Sequence, residues 1–296
     1  MNRPLVIGSR GSALALAQVE LLKTALLAAH PGLETGVKII TTSGDVRSDF
    51  AAALASGAGV KGLFTREIEL ALLDGGIDVA VHSCKDLPGM PTEGLHICAV
   101  LERADTADVY IGRVPFSELP SGSAIGTSSV RRRRQLLWLR PDLRVEDMRG
   151  NVPTRIEKLR ASEHLAGIVL ARAGLDRLGI DPGGWHAGRL PILHAVGQGA
   201  IALQCRAGDG EVAALLAAVN HGPTHTCIRA ERELLRLLNG DCHLPVGVAT
   251  KLDNGTLSMQ TIIFGPEDAP PQEGSACGSA DAPEDIAAIL FEQINS

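Results

Sequence analysis

The sequence predicts an α/β protein with more than one domain, and three observations support this class. Short apolar runs alternate with segments of helical spacing over residues 5–81 and again over residues 105–171. Residues 224–293 differ, because an amphipathic helix is followed there by two strands with a hairpin signal. The chain of 296 residues is also long enough for two or three domains, since single hydrophobic cores rarely grow beyond about 250–300 residues. We therefore expect two α/β domains and a small α+β domain.

The first alternating block predicts a sheet whose strands are joined by helices. Its strands are predicted at residues 5–8, 37–40 and 77–81, and its helices at residues 13–29 and 65–73. This order favours a mainly parallel sheet with right-handed crossovers. Ligands of such sheets bind beyond the carboxyl ends of the strands, where the turn 9–12 and the segment 82–86 are expected to lie.

The second block predicts the same architecture, and the last part predicts another. Its strands are expected at residues 123–126 and 167–171, and its helices at residues 130–139 and 153–160. Residues 196–200 form a hinge-like loop before 201–205, which we expect to be a strand that returns to the first domain. The last part is predicted as a helix, two strands, a loop and a helix, at residues 224–238, 246–250, 256–264, 266–282 and 284–293.

The charge is unevenly spread along the chain. The net charge of -6 argues against nucleic acid or an anionic membrane as a partner. Residues 131–189 nevertheless hold twelve Arg and one Lys against seven acidic residues. An acidic chain with one basic segment is expected to bind a discrete anion, such as a small-molecule substrate.

The six cysteines are scattered, and no two of them form a CxxC pair. This spacing predicts no zinc site and free thiols in a reducing compartment. The N-terminus lacks the apolar stretch of a signal peptide, and no apolar run approaches the roughly 18 residues of a membrane span. We therefore expect a cytoplasmic protein, and we expect a monomer because no large apolar stripe is left unexplained.

Two predicted helix starts have the features of anion sites. Thr127, Ser128 and Ser129 precede a helix that begins with four arginines, and residues 149–151 precede another. Free N–H groups and the helix macrodipole attract anions, and Arg adds bidentate recognition of carboxylates. An ordinary N-cap with a solvated basic face is the alternative interpretation. Consecutive arginines spread around a helix, so Arg131 and Arg132, nearest the cap, are the better candidates.

Two further motifs carry groups suited to covalent chemistry. Lys85 and Asp86 follow an apolar run, where Asp86 can stabilise a developing cation or move protons, although a plain surface ion pair also fits. Cys242 lies in a glycine-flanked turn. A buried structural cysteine is the common alternative, and the adjacent His243 leaves a cysteine–histidine hydrolase as a weaker one.

Collinear motifs make the chain resemble the porphobilinogen deaminase (hydroxymethylbilane synthase) family from near its start to at least Val248. The resemblance rests on residues 7–15, 60–64, 78–86, 126–132, 149–155, 173–179 and 196–200. It implies two α/β domains like those of periplasmic binding proteins, connected by a hinge, and a small α+β domain. We place the first domain at 1–102 with 196–218, the second at 103–195 and the third at 219–296.

The resemblance implies a transferase of tetrapyrrole (haem) biosynthesis. Such an enzyme joins four porphobilinogen molecules head to tail, releases ammonia at each step, and hydrolyses the product to hydroxymethylbilane. Its dipyrromethane cofactor hangs from a cysteine by a thioether, here Cys242. An anion-binding module without chemistry remains as one alternative, and it would release no ammonia from porphobilinogen. A cysteine hydrolase remains as another, and it would be inactivated by thiol alkylation but would show no bound pyrrole pigment.

The resemblance also implies roles for individual residues. The catalytic set is Asp86, Lys85 and Arg10. The cofactor would be held, besides Cys242, by Lys85, Asp86, Ser129, Arg131, Arg132, Arg149, Asn151 and Arg155. The substrate would be held by Arg10, Ser12, Lys61, Phe64, Thr127, Arg149, Arg155, Arg177 and Gln198. Residues 50–62 resemble the family's mobile active-site loop. No metal is implied.

The chain departs from the family pattern at three places. Asp241 replaces the second of two glycines before the cofactor cysteine, and Asp105-Thr106-Ala107-Asp108 stands for Asp-Pro-Arg-Asp, which removes one Arg. Cys84 adds a thiol beside the catalytic segment, and we predict that Cys84 does not carry the cofactor.

Overall fold

A computed structural model describes residues 3–46, 62, 64–240, 244–266 and 269–295. The described residues form two compact units, the first drawn from the ranges 1–103 and 200–242 and the second from 104–199 and 243–296. The three domain boundaries expected from the sequence stay a prediction.

The first unit contains a five-stranded mixed sheet. Its strands are β1 (Leu5–Ser9), β2 (Thr35–Ile39), β3 (Val79–Ser83), β4 (Leu95–Val100) and β10 (Ile201–Arg206), in the spatial order β2-β1-β3-β10-β4. Strands β1, β2 and β3 run parallel, whereas β10 is antiparallel to both of its neighbours. The expectation that residues 201–205 return to the first sheet is confirmed. The expectation of a mainly parallel sheet is wrong for β10. The chain runs through this strand in the direction opposite to that of its neighbours β3 and β4.

Helices cover both faces of this sheet. They are α1 (Ala13–Ala29), α2 (Ser43–Val46), α3 (Arg66–Leu73), α7 (Gly210–Ala217) and α8 (Gly222–Leu237). One core holds Leu22 and Leu26 of α1, and another holds Ile68 and Leu72 of α3. The amphipathic α8 buries Ile228 beside the end of β3. A 3-10 turn, Cys84–Asp86, directly follows β3.

The second unit contains a sheet with the same strand pattern. Its strands are β5 (Asp108–Gly112), β6 (Ala124–Gly126), β7 (Arg144–Glu146), β8 (Leu165–Ala171) and β9 (His186–Arg189), in the order β7-β6-β8-β5-β9. Strands β6, β7 and β8 are parallel, and β5 is antiparallel to β8 and β9. The helices are α4 (Val130–Leu139), α5 (Val152–Ala161) and α6 (Arg172–Arg177), with a 3-10 turn at Phe116–Glu118. The sequence signals missed β5, β7 and β9.

A third, antiparallel sheet also belongs to the second unit. It consists of β11 (Val246–Asp253), β12 (Thr256–Ile263) and β13 (Gln272–Ser279), and α9 (Pro283–Asn295) packs on it. Asn254 and Gly255 have positive φ angles of 47° and 78°, which confirms the expected hairpin turn.

The prediction of a loop at residues 266–282 is wrong, because β13 lies within this range. Because β13 consists largely of small residues, its sequence lacks the alternation of apolar and polar side chains that indicates a strand. A Cβ atom on Gly274 would lie 3.1 Å from Leu290, and one on Gly278 would lie 3.2 Å from Ile286. Helix α9 therefore approaches too closely for large apolar side chains on that face. Among the described helices, none is long and apolar enough to cross a membrane.

Candidate active site

The carboxyl end of β3 carries the pair that the sequence singled out. Lys85 and Asp86 are half-buried in the 3-10 turn after Ser83. Cys84 is buried in the apolar cluster with Leu87. Burial raises the pKa of the Cys84 thiol, so little thiolate forms there at neutral pH. This agrees with the prediction that Cys84 carries no cofactor, which stays a prediction.

The carboxyl end of β1 presents Arg10. Its Nη2 donates to Oδ1 of Asp45 at 2.5 Å and its Nε to the same carboxylate at 3.2 Å, while the guanidinium carbon lies 4.3 Å from the centre of the Phe64 ring. Burial alone would raise the pKa of Asp45, but the hydrogen bonds from Arg10 and Thr42 lower it. The described structure thus brings two predicted residues, Arg10 and Phe64, into contact. Asp45, which orients Arg10, was not predicted.

Ser12 begins α1 as its N-cap and accepts a hydrogen bond from the backbone N–H of Ala15 at 3.3 Å. The cap fixes the turn that presents Arg10. Gln18, which also lies on α1, donates from Nε2 to the Ser83 hydroxyl at 2.8 Å. Helix α1 is therefore tied to the end of β3, just before Lys85.

A buried chain of polar side chains begins at His82, two residues before the 3-10 turn Cys84–Asp86. His82 Nε2 is 3.1 Å from Oε1 of Gln204, and Nε2 of Gln204 donates to Glu69 at 3.0 Å. Burial lowers the pKa of His82 to about 4, so the imidazole is neutral at pH 7. In the sequence His82 stands out only as part of a motif, because its partner lies 122 positions away.

Helix α8 is anchored in the first unit by a buried ion pair. Arg103 Nη1 donates to Oε1 of Glu231 at 2.6 Å, and Glu231 is fully buried. Arg232 donates to the carbonyl of Pro88 at 2.9 Å, two residues after Asp86. The contact with Pro88 fixes the backbone that follows the 3-10 turn Cys84–Asp86.

In the second unit, the end of β6 leads into a capped helix. Ser129 is the N-cap of α4 and accepts from the backbone N–H of Arg132 at 3.4 Å. Thr127 is buried, and its hydroxyl accepts from the N–H of Ser129 at 3.3 Å. The predicted N-cap is therefore present.

Arg131 and Arg132 are not solvated, because both bind the buried Asp108. Arg131 Nη1 lies 2.7 Å from Oδ2 of Asp108, and Arg132 Nε lies 3.0 Å from Oδ1. Gln198 donates to Oδ1 of the same carboxylate at 2.9 Å. Burial alone would raise the pKa of Asp108, but Arg131 and Arg132 hold it well below its usual range. Asp108 thus holds Arg131 and Arg132 in place, and it was not predicted from the sequence. The one signal that could have indicated it is a carboxylate at the start of the apolar run of β5.

The second predicted helix start also has its cap. Asn151 begins α5 and accepts from the backbone N–H of Thr154 at 2.9 Å. Gly150 has a φ angle of 123°, a conformation that side chains rarely adopt. Arg155 donates to the carbonyl of Gly150 at 2.7 Å, and Arg149 to Asp147 at 2.8 Å. Burial, reinforced by Arg132, lowers the pKa of Arg155 to about 10.

Arg177 lies at the end of α6. It donates to the carbonyl of Gly199 at 2.6 Å, and burial lowers its pKa to about 10. Both Arg155 and Arg177 are cations that burial disfavours, and the hydrogen bonds described here join them to backbone carbonyls. A bound carboxylate would relieve that cost.

Three elements of the predicted site lie outside the described residues. They are Lys61, Cys242 with its neighbours Asp241 and His243, and the loop predicted at 50–62 except for Gly62.

The fold and the charged groups at its strand ends define an α/β protein suited to an anionic small molecule. Two family models match the chain: "Porphobilinogen deaminase, dipyromethane cofactor binding domain" over residues 5–214 and "Porphobilinogen deaminase, C-terminal domain" over residues 225–295. The chain belongs to the porphobilinogen deaminase family.

Curated relatives carry the same name. The porphobilinogen deaminase of Chloroherpeton thalassium is 45% identical over 89% of this chain and 83% of its own length, and that of Desulforudis audaxviator is 44% identical over 96% and 92%. Among solved structures, substrate-binding domain 2 of Lactococcus lactis GlnP matches with a TM-score of 0.45 and 11% identity over 79% of this chain and 94% of that chain.

Proposed function

We propose that this chain joins four porphobilinogen molecules head to tail on a covalent dipyrromethane cofactor, releases ammonia at each addition, and hydrolyses the product to hydroxymethylbilane. The observation that carries this proposal is the match of residues 5–214 to a domain described by its dipyrromethane cofactor, within a family that covers most of the chain. The cofactor supplies the pyrrole to which substrate units are added.

The residues described here fit such a group. Each pyrrole of the substrate carries an acetate and a propionate, so the bound chain is a polyanion. Arg155 and Arg177 are partly buried cations with lowered pKa values, and a carboxylate would satisfy them. The Nε atom of Arg131 is buried without a hydrogen-bond partner in the described structure. This donor set suits carboxylates.

We assign the reacting groups to the first unit. Loss of ammonia leaves a cation on the substrate, and the Asp86 carboxylate stabilises it and takes part in proton transfer. Lys85 and Arg10 bind carboxylates and hold the incoming ring. Ser12 fixes the turn before α1, and Phe64 supports the Arg10 guanidinium at 4.3 Å. Lys61 is assigned to substrate binding on the resemblance alone.

The second unit is assigned to anion binding. Ser129 and Thr127 open α4, and Asn151 opens α5, so both helix starts present backbone N–H groups. Arg131, Arg132, Arg149, Arg155 and Arg177 add charge, and Asp108 with Gln198 orients the first two. In this assignment Asp108 is a positioning residue.

Cys242 is assigned as the attachment point of the cofactor. The test is the intact mass of the purified protein, with Cys242→Ser and Cys84→Ser measured beside it. We expect an excess equal to two linked pyrrole units in the wild type and in Cys84→Ser, and none in Cys242→Ser. Excess mass that survives in Cys242→Ser and disappears in Cys84→Ser would contradict the assignment.

A wild-type protein without excess mass is incubated with porphobilinogen before it is measured again. Ammonia release with a gain of mass supports the proposed function. Neither ammonia nor added mass would contradict it and would favour an anion-binding module.

We further propose that the chain acts in the cytoplasm as a monomer, without nucleic acid or membrane as partners. The net charge of -6 and the scattered thiols support this proposal. Sedimentation at several protein concentrations tests the oligomeric state, and a dimer mass would contradict it.

A further inference from the structure

His96, Cys98 and Cys205 bring one nitrogen and two sulfur atoms together on the first sheet. One ligand atom of each lies within 4.8 Å of the others, and Sγ of Cys205 is 3.9 Å from Nε2 of His96. Cys205 pairs directly with His96 across β10 and β4. A register shift at Leu203 and Gln204 leaves Cys98 as the extra residue of β4, and such a bulge re-aims a side chain.

The spacing of the three atoms suits a tetrahedral metal ion. With Zn–S bonds of about 2.3 Å and Zn–N bonds of about 2.0 Å, neighbouring ligand atoms lie about 3.5 to 3.8 Å apart. The separation of 3.9 Å between Cys205 and His96 is close to that edge. The ligands stand on paired strands, so little backbone has to be ordered when a metal binds.

The three residues differ in their exposure to solvent. Cys205 is buried, Cys98 is half-buried and His96 is exposed. Cys98 donates from Sγ to the carbonyl of Leu203 at 3.2 Å. His96 therefore lies on the path by which an ion from solvent would reach the two thiols.

We propose that His96, Cys98 and Cys205 bind one thiophilic divalent cation of the Zn²⁺ type, with water as the fourth ligand. Both thiols release their protons to solvent on binding, so two thiolates balance the charge of the ion. A buried and a half-buried cysteine by themselves are commonly part of apolar packing. Packing does not account for an exposed imidazole directed at one of them.

The register of the sheet places this ion away from the proposed chemistry. Cys205 follows Gln204, which pairs with Ala80 near the start of β3. Lys85 and Asp86 follow the other end of that strand. The ion would therefore crosslink β4 and β10 at the opposite end of the sheet, as a structural site.

The test is a zinc titration of the reduced holoenzyme against a chromophoric chelator, with Co²⁺ as a spectroscopic probe. The variants are Cys205→Ser, Cys98→Ser and His96→Gln, and the matched control is Cys277→Ser, whose thiol is exposed on β13. We expect one Zn²⁺ per chain and a sulfur-to-cobalt charge-transfer band in the wild type and the control. Both should be lost in the cysteine variants, and the zinc affinity of His96→Gln should fall at least about tenfold.

Circular dichroism shows whether the cysteine variants fold, and the exposed His96 supplies a variant that should fold in any case. Absence of zinc binding in the reduced wild type would overturn the proposal. So would zinc affinity that is unchanged in His96→Gln, or binding that is lost in Cys277→Ser.

Discussion

The two five-stranded sheets share one strand pattern but carry different charged groups. In each, three parallel strands are followed by an antiparallel strand that is not the next strand along the chain. The first sheet ends at a carboxylate beside a cation, Asp86 and Lys85. The second ends at capped helices with arginines gathered around Asp108. One backbone plan thus carries two different sets of charged groups, and the residues at the strand ends make the difference.

The largest expected effect concerns Asp86 in the first unit. Asp86→Asn should keep the fold and the cofactor mass but lower turnover of porphobilinogen by about 10²–10⁴-fold, because a carboxamide neither moves the proton nor stabilises the cation. Ammonia release measures turnover. Asp74→Asn, on an exposed turn of the same unit, is the control and should react normally. Near-normal turnover of Asp86→Asn would remove the assigned role.

The second prediction tests the arginine cluster of the other unit. Asp108→Asn leaves Arg131 and Arg132 buried without a carboxylate, and should lower the free energy of unfolding by about 3–5 kcal/mol. Urea denaturation measures the loss. The control, Asp105→Asn, breaks the ion pair with the exposed Arg189 but keeps an oxygen that can accept from the N–H of Ala107, and should cost less than about 1 kcal/mol. Equal losses in both variants would show that Asp108 is not a special anchor.

The third prediction concerns the pH dependence of the first unit. The pKa of His82 is about 4 in the folded chain, against about 6.5 when unfolded. Between these values the unfolded chain binds more protons, so stability is lost as pH falls from 6.5 to 4, by about 3 kcal/mol in total. His82→Gln should remove this part of the slope, as measured by denaturation at several pH values.

The matched control for His82 is His164→Gln, an exposed histidine of the second unit. It should leave the slope unchanged. A slope that is the same in His82→Gln and in the wild type would mean that His82 titrates normally.

The smallest expected effect separates binding from chemistry in the second unit. Arg155→Lys keeps the charge but loses the planar fork, and should raise the KM for porphobilinogen about tenfold, or about 1.4 kcal/mol, with a smaller change in kcat. Arg160→Lys, exposed on the same helix, should behave as wild type. A drop in kcat without a rise in KM would contradict the assignment of Arg155 to substrate binding.

Local signals predicted the helices well, since caps and periodicity act over a few residues. Helices α1 and α4 begin and end where the sequence indicated, and Ser129 and Asn151 are the N-caps of α4 and α5. Strands such as β9 and β13 were missed because their residues are small or polar. Their stability comes from partners, such as the close approach of α9 to β13.

The family motifs located Lys85, Asp86 and Arg149 by position alone, but the contacts around them were beyond the sequence. Nothing in the sequence indicated that Arg131 and Arg132 would both bind a buried carboxylate. Asp108 lies 23 positions from Arg131, on strand β5 and not on helix α4, and the fold buries all three side chains together.

The sequence by itself determined the α/β class, the helix starts and the family, because these follow from the periodicity, caps and short motifs of residues that are close together in the chain. The tertiary structure alone decided that Asp108 binds two arginines, that His82 is neutral, and that His96 meets Cys205. Each depends on atoms that are distant in sequence and on burial, which changes the free energy of a charge far more than any neighbour in the chain does.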